Sequence, residues 1–210
     1  MPRPSQNTDR LMIDTAKKII YKSGISGLKI REISRKSKVN LGMFYYNFGT
    51  KDKFIQQVLK EIYDEFFSSF VLETEKDAAP VEKLRQALIL LGKFARNNRS
   101  LVIAILKDVI NGHKSTIEFA KNNFTKHISV MFRLISECQK KGDIVKIPLP
   151  QAVIFLAGTI AFPNLVAEVV EKVRTGKLKH MPINIIINKI LTDEAIEQRV
   201  ALAINALSSK

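Results

Sequence analysis

Apolar residues return at helical spacing along nearly the whole chain. Met12, Ala16, Ile19 and Ile20 fall at i, i+4, i+7 and i+8, which predicts one buried face of a helix entered at Thr8 or Asp9 and closed by Gly24. Ile30 and Ile33 give a short second helix, "IREISRKSK", its inward side. Val39 and Asn40 then predict a tight turn, with Asn40 capping another short helix over 41–47 that Gly49 and Thr50 end. Thr50 caps a long fourth helix to about Leu72, in which Phe54, Val58, Ile62 and Phe66 recur every four residues. The charged, Ala/Pro-rich stretch "ETEKDAAP" (73–80) has no periodicity and is expected to be the domain boundary. Beyond it the pattern predicts helices over 81–97, 101–110, 116–141, 151–173 and 192–208, with loops at "DIVKIPLP" and the basic "RTGKLKHMPIN". Pro163 inside 151–173 predicts a kink or local break, because proline removes an amide donor and clashes with the preceding turn. There is no convincing strand or internal repeat. The expected fold is all-α with about nine helices: a three-helix head over 1–50, a connecting fourth helix over about 50–73, and a second helical domain over 74–210.

Composition narrows the partners. A chain that is 46% hydrophobic and 26% charged is an ordinary folded protein, but its formal net charge is +14. Residues 1–60 hold 13 Lys/Arg against 4 Asp/Glu, whereas 61–210 hold 21 against 16. Positive charge gathered in the first third points to a polyanion, which is bound by releasing counter-ions from phosphates. Cys138 is the single cysteine, so no internal disulfide and no cysteine-based zinc site is expected. The start "MPRPSQNTDR" has no apolar secretory core, and the longest apolar run, Ala152 to Phe162, is about half of the roughly 20 residues a spanning helix needs. A cytoplasmic protein with no membrane partner is the expectation.

Four aromatics fall within Phe44 to Phe48, between two helix-start signals. Two short helices about a tight turn in a basic segment read as helix-turn-helix. Phe44 and Phe48 lie one turn apart and are expected to anchor the second helix, leaving Tyr45 and Tyr46 to lie on sugars and reach phosphates. Gly42, without a side chain, would admit a close backbone approach. Arg31, Arg35 and Lys38 form an i, i+4, i+7 cationic stripe, and Lys51 stands at the start of the fourth helix, whose free amides favour a phosphate.

"IDTAKKIIYKSG" through "IREISRKSKVNLGMFYYNFGTKDKF" resembles the N-terminal domain of the tetracycline-repressor (TetR/AcrR-type) family of transcriptional regulators, over roughly residues 8 to 60. Ala16, Gly24, Ile33, Val39, Gly42, Tyr45, Phe48, Lys51 and Phe54 carry the likeness. The resemblance implies a homodimeric repressor that reads a palindromic operator on double-stranded DNA and is released by a small molecule. The DNA-facing candidates are Lys29, Arg31, Asn40, Leu41, Gly42, Met43, Tyr45, Tyr46, Asn47 and Lys51. Two of them depart from the family pattern. Lys29 stands where threonine is usual, and Leu41 where many members carry Lys, Arg or Gln. Neither Leu41 nor Met43 can make a bidentate purine contact, so base reading is expected through thymine methyls and DNA shape, on an A/T-rich operator.

The second domain is expected to take a mainly apolar effector, with Phe94, Met131, Phe132, Phe155 and Phe162 as candidate lining and His127 and Asn164 as candidate polar contacts. Aromatics at helical spacing are also what a plain core looks like. Ile196, Val200, Ala203 and Leu207 form a stripe expected at the dimer seam, opposite the apolar helix 151–173. No cofactor or metal is expected, since His113, His127 and His180 lie far apart and no H-E-x-x-H occurs. "SGLK" matches S-x-x-K without the companion motifs of penicillin-binding enzymes, and no phosphate-cradling glycine loop or G-x-S-x-G elbow is present, so no enzyme is indicated. The alternatives are a sequence-indifferent architectural DNA-binding protein relying on charge alone, and a peripheral membrane protein with basic amphipathic helices. The latter has no need of Gly42 or paired tyrosines.

Overall fold

The computed structural model describes residues 6–23, 25, 28–173 and 183–209. Gly24, the Ser26 and Gly27 positions of "SGLK", most of the basic loop after Val173, and His180 lie outside the described residues. The described helices, in chain order, are α1 Gln6–Ser23, α2 Ile30–Ser37, α3 Leu41–Phe48, α4 Lys51–Thr74, α5 Pro80–Asn97, α6 Arg99–Ile110, α7 Lys114–Lys141, α8 Leu149–Val173, α9 Ile183–Ile190 and α10 Asp193–Leu207. Among the described residues the one pairing of extended backbone is an isolated bridge between Ile144 and Ser208. The all-α expectation holds, with ten helices in place of about nine; the addition is α9, whose short apolar run "INIIINKI" the periodicity did not separate from its flanking loop.

The chain divides into two compact units: residues up to Glu65 with Ser100–Asn123, and Phe66–Arg99 with Phe124–Lys210. This differs from a contiguous division at 73–80. That stretch is a turn between α4 and α5, where Pro80 takes the first helical position because its missing amide would be unpaired there anyway. α4 runs without interruption from one unit into the other.

In the first unit α1 packs on α2 and α3. The predicted stripes supply the core: Met12, Ala16, Ile20, Ile33, Phe44, Phe54 and Val58 are fully buried or nearly so. Lys17 is buried with them, and its ammonium bridges Glu61 at 3.1 Å and Glu65 at 2.6 Å. Burial opposes its charge, but the hydrogen bonds it donates to those two carboxylates hold its pKa above the ordinary lysine value. This tie between α1 and α4 was not legible in the sequence, where Lys17 looked like any surface cation.

In the second unit α5, α8 and α10 pack on one another around Leu84, Leu88, Leu134, Ile135, Leu156, Ile196 and Val200. Gly92 marks the crossing of α5 and α10, since a Cβ there would lie 2.7 Å from Cγ2 of Ile196. The core corrects one expectation. Ile196, Val200, Ala203 and Leu207 are buried inside their own chain, so they form its core and not a seam with another copy. α8 continues helically through Pro163, with no local break there. It is also longer than the apolar run suggested: Leu149–Glu171 is long and apolar enough to cross a membrane by length and composition, and only 22% of that window is buried in the chain. Its outward side carries Ile154, Phe155, Phe162, Leu165 and Val169, next to the exposed Leu202 of α10. α9 is held at its C-terminal end by two arginines: Arg96 donates to the Leu191 carbonyl at 3.0 Å and Arg199 to that of Ile190 at 2.6 Å.

Candidate nucleic-acid interface

α2 ends in a left-handed turn at Lys38, and α3 begins three residues later. Asn40 caps α3: its side-chain oxygen accepts from the Gly42 amide at 2.7 Å, satisfying one of the donors a helix start leaves unpaired. A Cβ at Gly42 would lie 3.3 Å from the same oxygen, a tight contact that the Asn40 side chain would have to ease. At the other end the Gly49 amide closes on the Tyr45 carbonyl at 2.9 Å with a φ of 72°, a conformation that glycine adopts without a Cβ clash. α3 is therefore defined at both ends by its own sequence.

Its aromatics divide between two surfaces, as their spacing predicted. Phe44 and Phe48 are buried and meet Phe54 of α4, with ring centroids 4.9 and 4.6 Å away. Tyr45 and Tyr46 face outward, 51% and 72% exposed. The Tyr45 ring stands edge-on to Phe44, at 5.4 Å and 85°, so its hydroxyl is presented from a braced ring. Leu41 and Met43 are half-buried on the same short helix. Lys29 and Arg31 lie exposed at the start of α2, as does Lys51 at the start of α4. There the Thr50 hydroxyl caps the Lys53 amide at 3.2 Å.

Asn47 behaves differently from its neighbours in the candidate set. It is half-buried, and its side-chain amide donates to the Asp9 carboxylate of α1. That bond ties the C-terminal end of α3 to α1 and engages one of the donors of the Asn47 side chain. Asp9 was read in the sequence only as a helix-start residue; a partner 38 residues away leaves no local signal. Replacing Asp9 with alanine frees the C-terminal end of α3, and operator affinity is expected to fall about ten-fold, in line with about 1.5 kcal/mol for a charge-assisted bond. Fluorescence titration of a labelled operator duplex measures this.

The candidate effector residues separate into two groups. Phe94, His127 and Met131 belong together in the second unit: Phe94 stacks on Phe66 at 4.2 Å, His127 stands edge-on to Phe70 at 6.5 Å, and Met131 shares the core cluster with Phe70. Burial drives the His127 pKa down to about 4, so its imidazole is neutral at physiological pH. Phe155 and Phe162 point outward from α8 and do not join that group. Asn164 is buried, with its amide donating to the Ile160 carbonyl at 2.8 Å.

The chain is similar to several known proteins. The profile of the tetR family of bacterial regulatory proteins matches residues 12–58. The HTH-type transcriptional repressor NicS of Pseudomonas putida is 32% identical over 143 residues, covering 66% of this chain and 68% of that protein. A "Probable HTH-type transcriptional regulator YttP" of Bacillus subtilis is 22% identical over 171 residues, covering 80% and 82%. Among solved structures, a TetR transcription regulator from Haloarcula marismortui aligns with a TM-score of 0.74 at 13% identity, over 96% of this chain and 98% of that one, a likeness of fold alone.

Proposed function

The chain belongs to the tetR family of bacterial regulatory proteins, and on that premise we propose that it is a homodimeric repressor, released from a palindromic operator by a small, mainly apolar effector. It is a DNA-binding transcriptional regulator and not an enzyme. The observation that carries the reading is the division of α3 between a buried Phe44/Phe48 anchor and the outward Tyr45/Tyr46 edge. With Lys29, Arg31 and Lys51 around it, that edge presents hydroxyls and cations to sugar and phosphate. Leu41, Gly42 and Met43 then face the groove with no bidentate hydrogen-bonding group, which favours thymine methyls and an A/T-rich operator.

Two copies join through the outward face of α8 with Leu202 of α10, the apolar surface that the single chain leaves open. In the DNA-competent dimer the two α3 helices lie about one duplex turn apart, roughly 34–36 Å. The effector enters the second unit beside Phe94, His127 and Met131, where aromatic rings and a neutral imidazole suit an apolar compound with at most one polar contact. An effector that binds a more widely spaced dimer better lowers operator affinity by that difference, and α4, continuous between the units, transmits the change.

Selection from random duplexes tests the operator half of this. The expected product is a palindrome, A/T-rich under the two recognition helices, whose footprint survives excess random DNA. A G/C-rich consensus there removes the methyl-reading mechanism, and uniform protection removes the repressor itself.

A further inference from the structure

Four described residues have positive φ: Gly49, Gly112, Gly142 and Lys38. At the three glycines a Cβ would meet nothing within 4 Å, so the chain uses glycine there for conformation alone. At Lys38, with φ 56° and ψ 30°, it accepts a left-handed backbone on a residue whose Cβ crowds the following carbonyl. The side chain does nothing visible in return within the fold. Lys38 is exposed, and the turn is held without it: the Ser34 carbonyl accepts both the Lys38 and Val39 amides, and the Ser34 hydroxyl donates to the Val39 carbonyl.

The cations of this element are not alike. Lys36 is neutralised by Glu32 at 2.8 Å. Arg31 and Arg35 stand one turn apart on α2 and Lys38 follows in the turn beyond its end; all three are exposed. Lys38 is the last of them, two residues before the cap of the recognition helix. Backbone held in a sparsely populated region tends to gather where function over-rides local stability.

We propose that Lys38 is a DNA-phosphate contact in the turn itself, for which the fold forgoes the glycine its backbone calls for. The inference rests on the DNA-binding reading above and adds to it a residue whose stability and binding effects have opposite signs.

The test measures the salt dependence of binding to the selected operator duplex and to a random duplex of equal length, together with the thermal midpoint. For Lys38→Gly the slope of log K against log salt is expected to become shallower by about 0.9 per lost contact, hence about 1.8 for a dimer. Affinity falls by the same factor on both duplexes, because a phosphate contact carries no sequence preference. The midpoint rises by about 2–4 °C as the left-handed strain is relieved. Lys38→Arg keeps the wild-type slope. Lys38→Asn, a neutral residue that tolerates this backbone, reproduces the shallower slope whatever Lys38→Gly does to folding. An unchanged slope in the glycine and asparagine variants overturns the proposal and leaves the DNA-binding reading standing. A wild-type slope near zero overturns both.

Discussion

Replacing Tyr45 and Lys51 together with alanine is expected to reduce operator affinity at least a hundred-fold while leaving the chain folded and dimeric. The two side chains flank the junction of α3 and α4, and neither is needed to hold it. Lys51 is exposed with no ion partner among the described residues. Tyr45 contributes to the fold through its edge contact with Phe44, worth about 1 kcal/mol. On the proposed reading, however, each half-site loses a hydroxyl–phosphate bond and a cation, and a dimer loses both twice. A hydrogen bond to a charged group is worth about 1.5–3 kcal/mol, and every 1.4 kcal/mol is about ten-fold in affinity. Phe44→Ala is the informative contrast: it deletes a fully buried ring and costs about 3–5 kcal/mol of stability, so it removes binding by removing the head. Calorimetry with a gel-shift titration separates the cases. Monomers, or a collapsed unfolding midpoint, in the Tyr45/Lys51 variant would show that these residues are structural.

That contrast also marks what the sequence disclosed. Periodicity and caps are local, and local signals located α1 to α4, the Asn40 cap and the inward Phe44/Phe48 pair to within a few residues. What could not be read was which surface an apolar stripe meets. Ile196, Val200, Ala203 and Leu207 have the 3.6-residue period that either a dimer seam or the chain's own core requires, and only packing against α5 and α8 decides between them. Asn47 has the same limit in polar form. Its position on α3 suggests a base contact, and the carboxylate from α1 that it also meets leaves no local trace. Lys17 and Gly92 were passed over because their meaning lies in distant partners, Glu61 and Glu65 for one and Ile196 for the other. Phe155 and Phe162 are candidate pocket lining by their helical spacing, but the face of α8 that carries them is the outward one.

This outward surface sets up the second large effect. Phe162→Glu with Leu202→Glu is expected to convert the dimer into well-folded monomers and to reduce operator affinity at least a hundred-fold. In the single chain these side chains are 65% and 69% exposed, so a carboxylate at either position stays in water and costs the chain's own fold little. In a dimer closed over the same face, two carboxylates from each copy must be stripped of water, a penalty of several kcal/mol each. Arg199 of α10 borders this patch, but one of its nitrogens already donates to the Ile190 carbonyl at the end of α9. Binding then falls for a reason remote from α3. Two linked heads engage the second half-site at an effective concentration that separate monomers lack, and linkage of this kind raises affinity by about 10²–10⁴. Sedimentation velocity reads the mass and a titration on the full palindrome reads the affinity. On an isolated half-site the variant should bind as well as the wild-type protein does, since its recognition surface is untouched. A variant that still sediments as a dimer with wild-type affinity for the palindrome would place the seam on some other face of the chain.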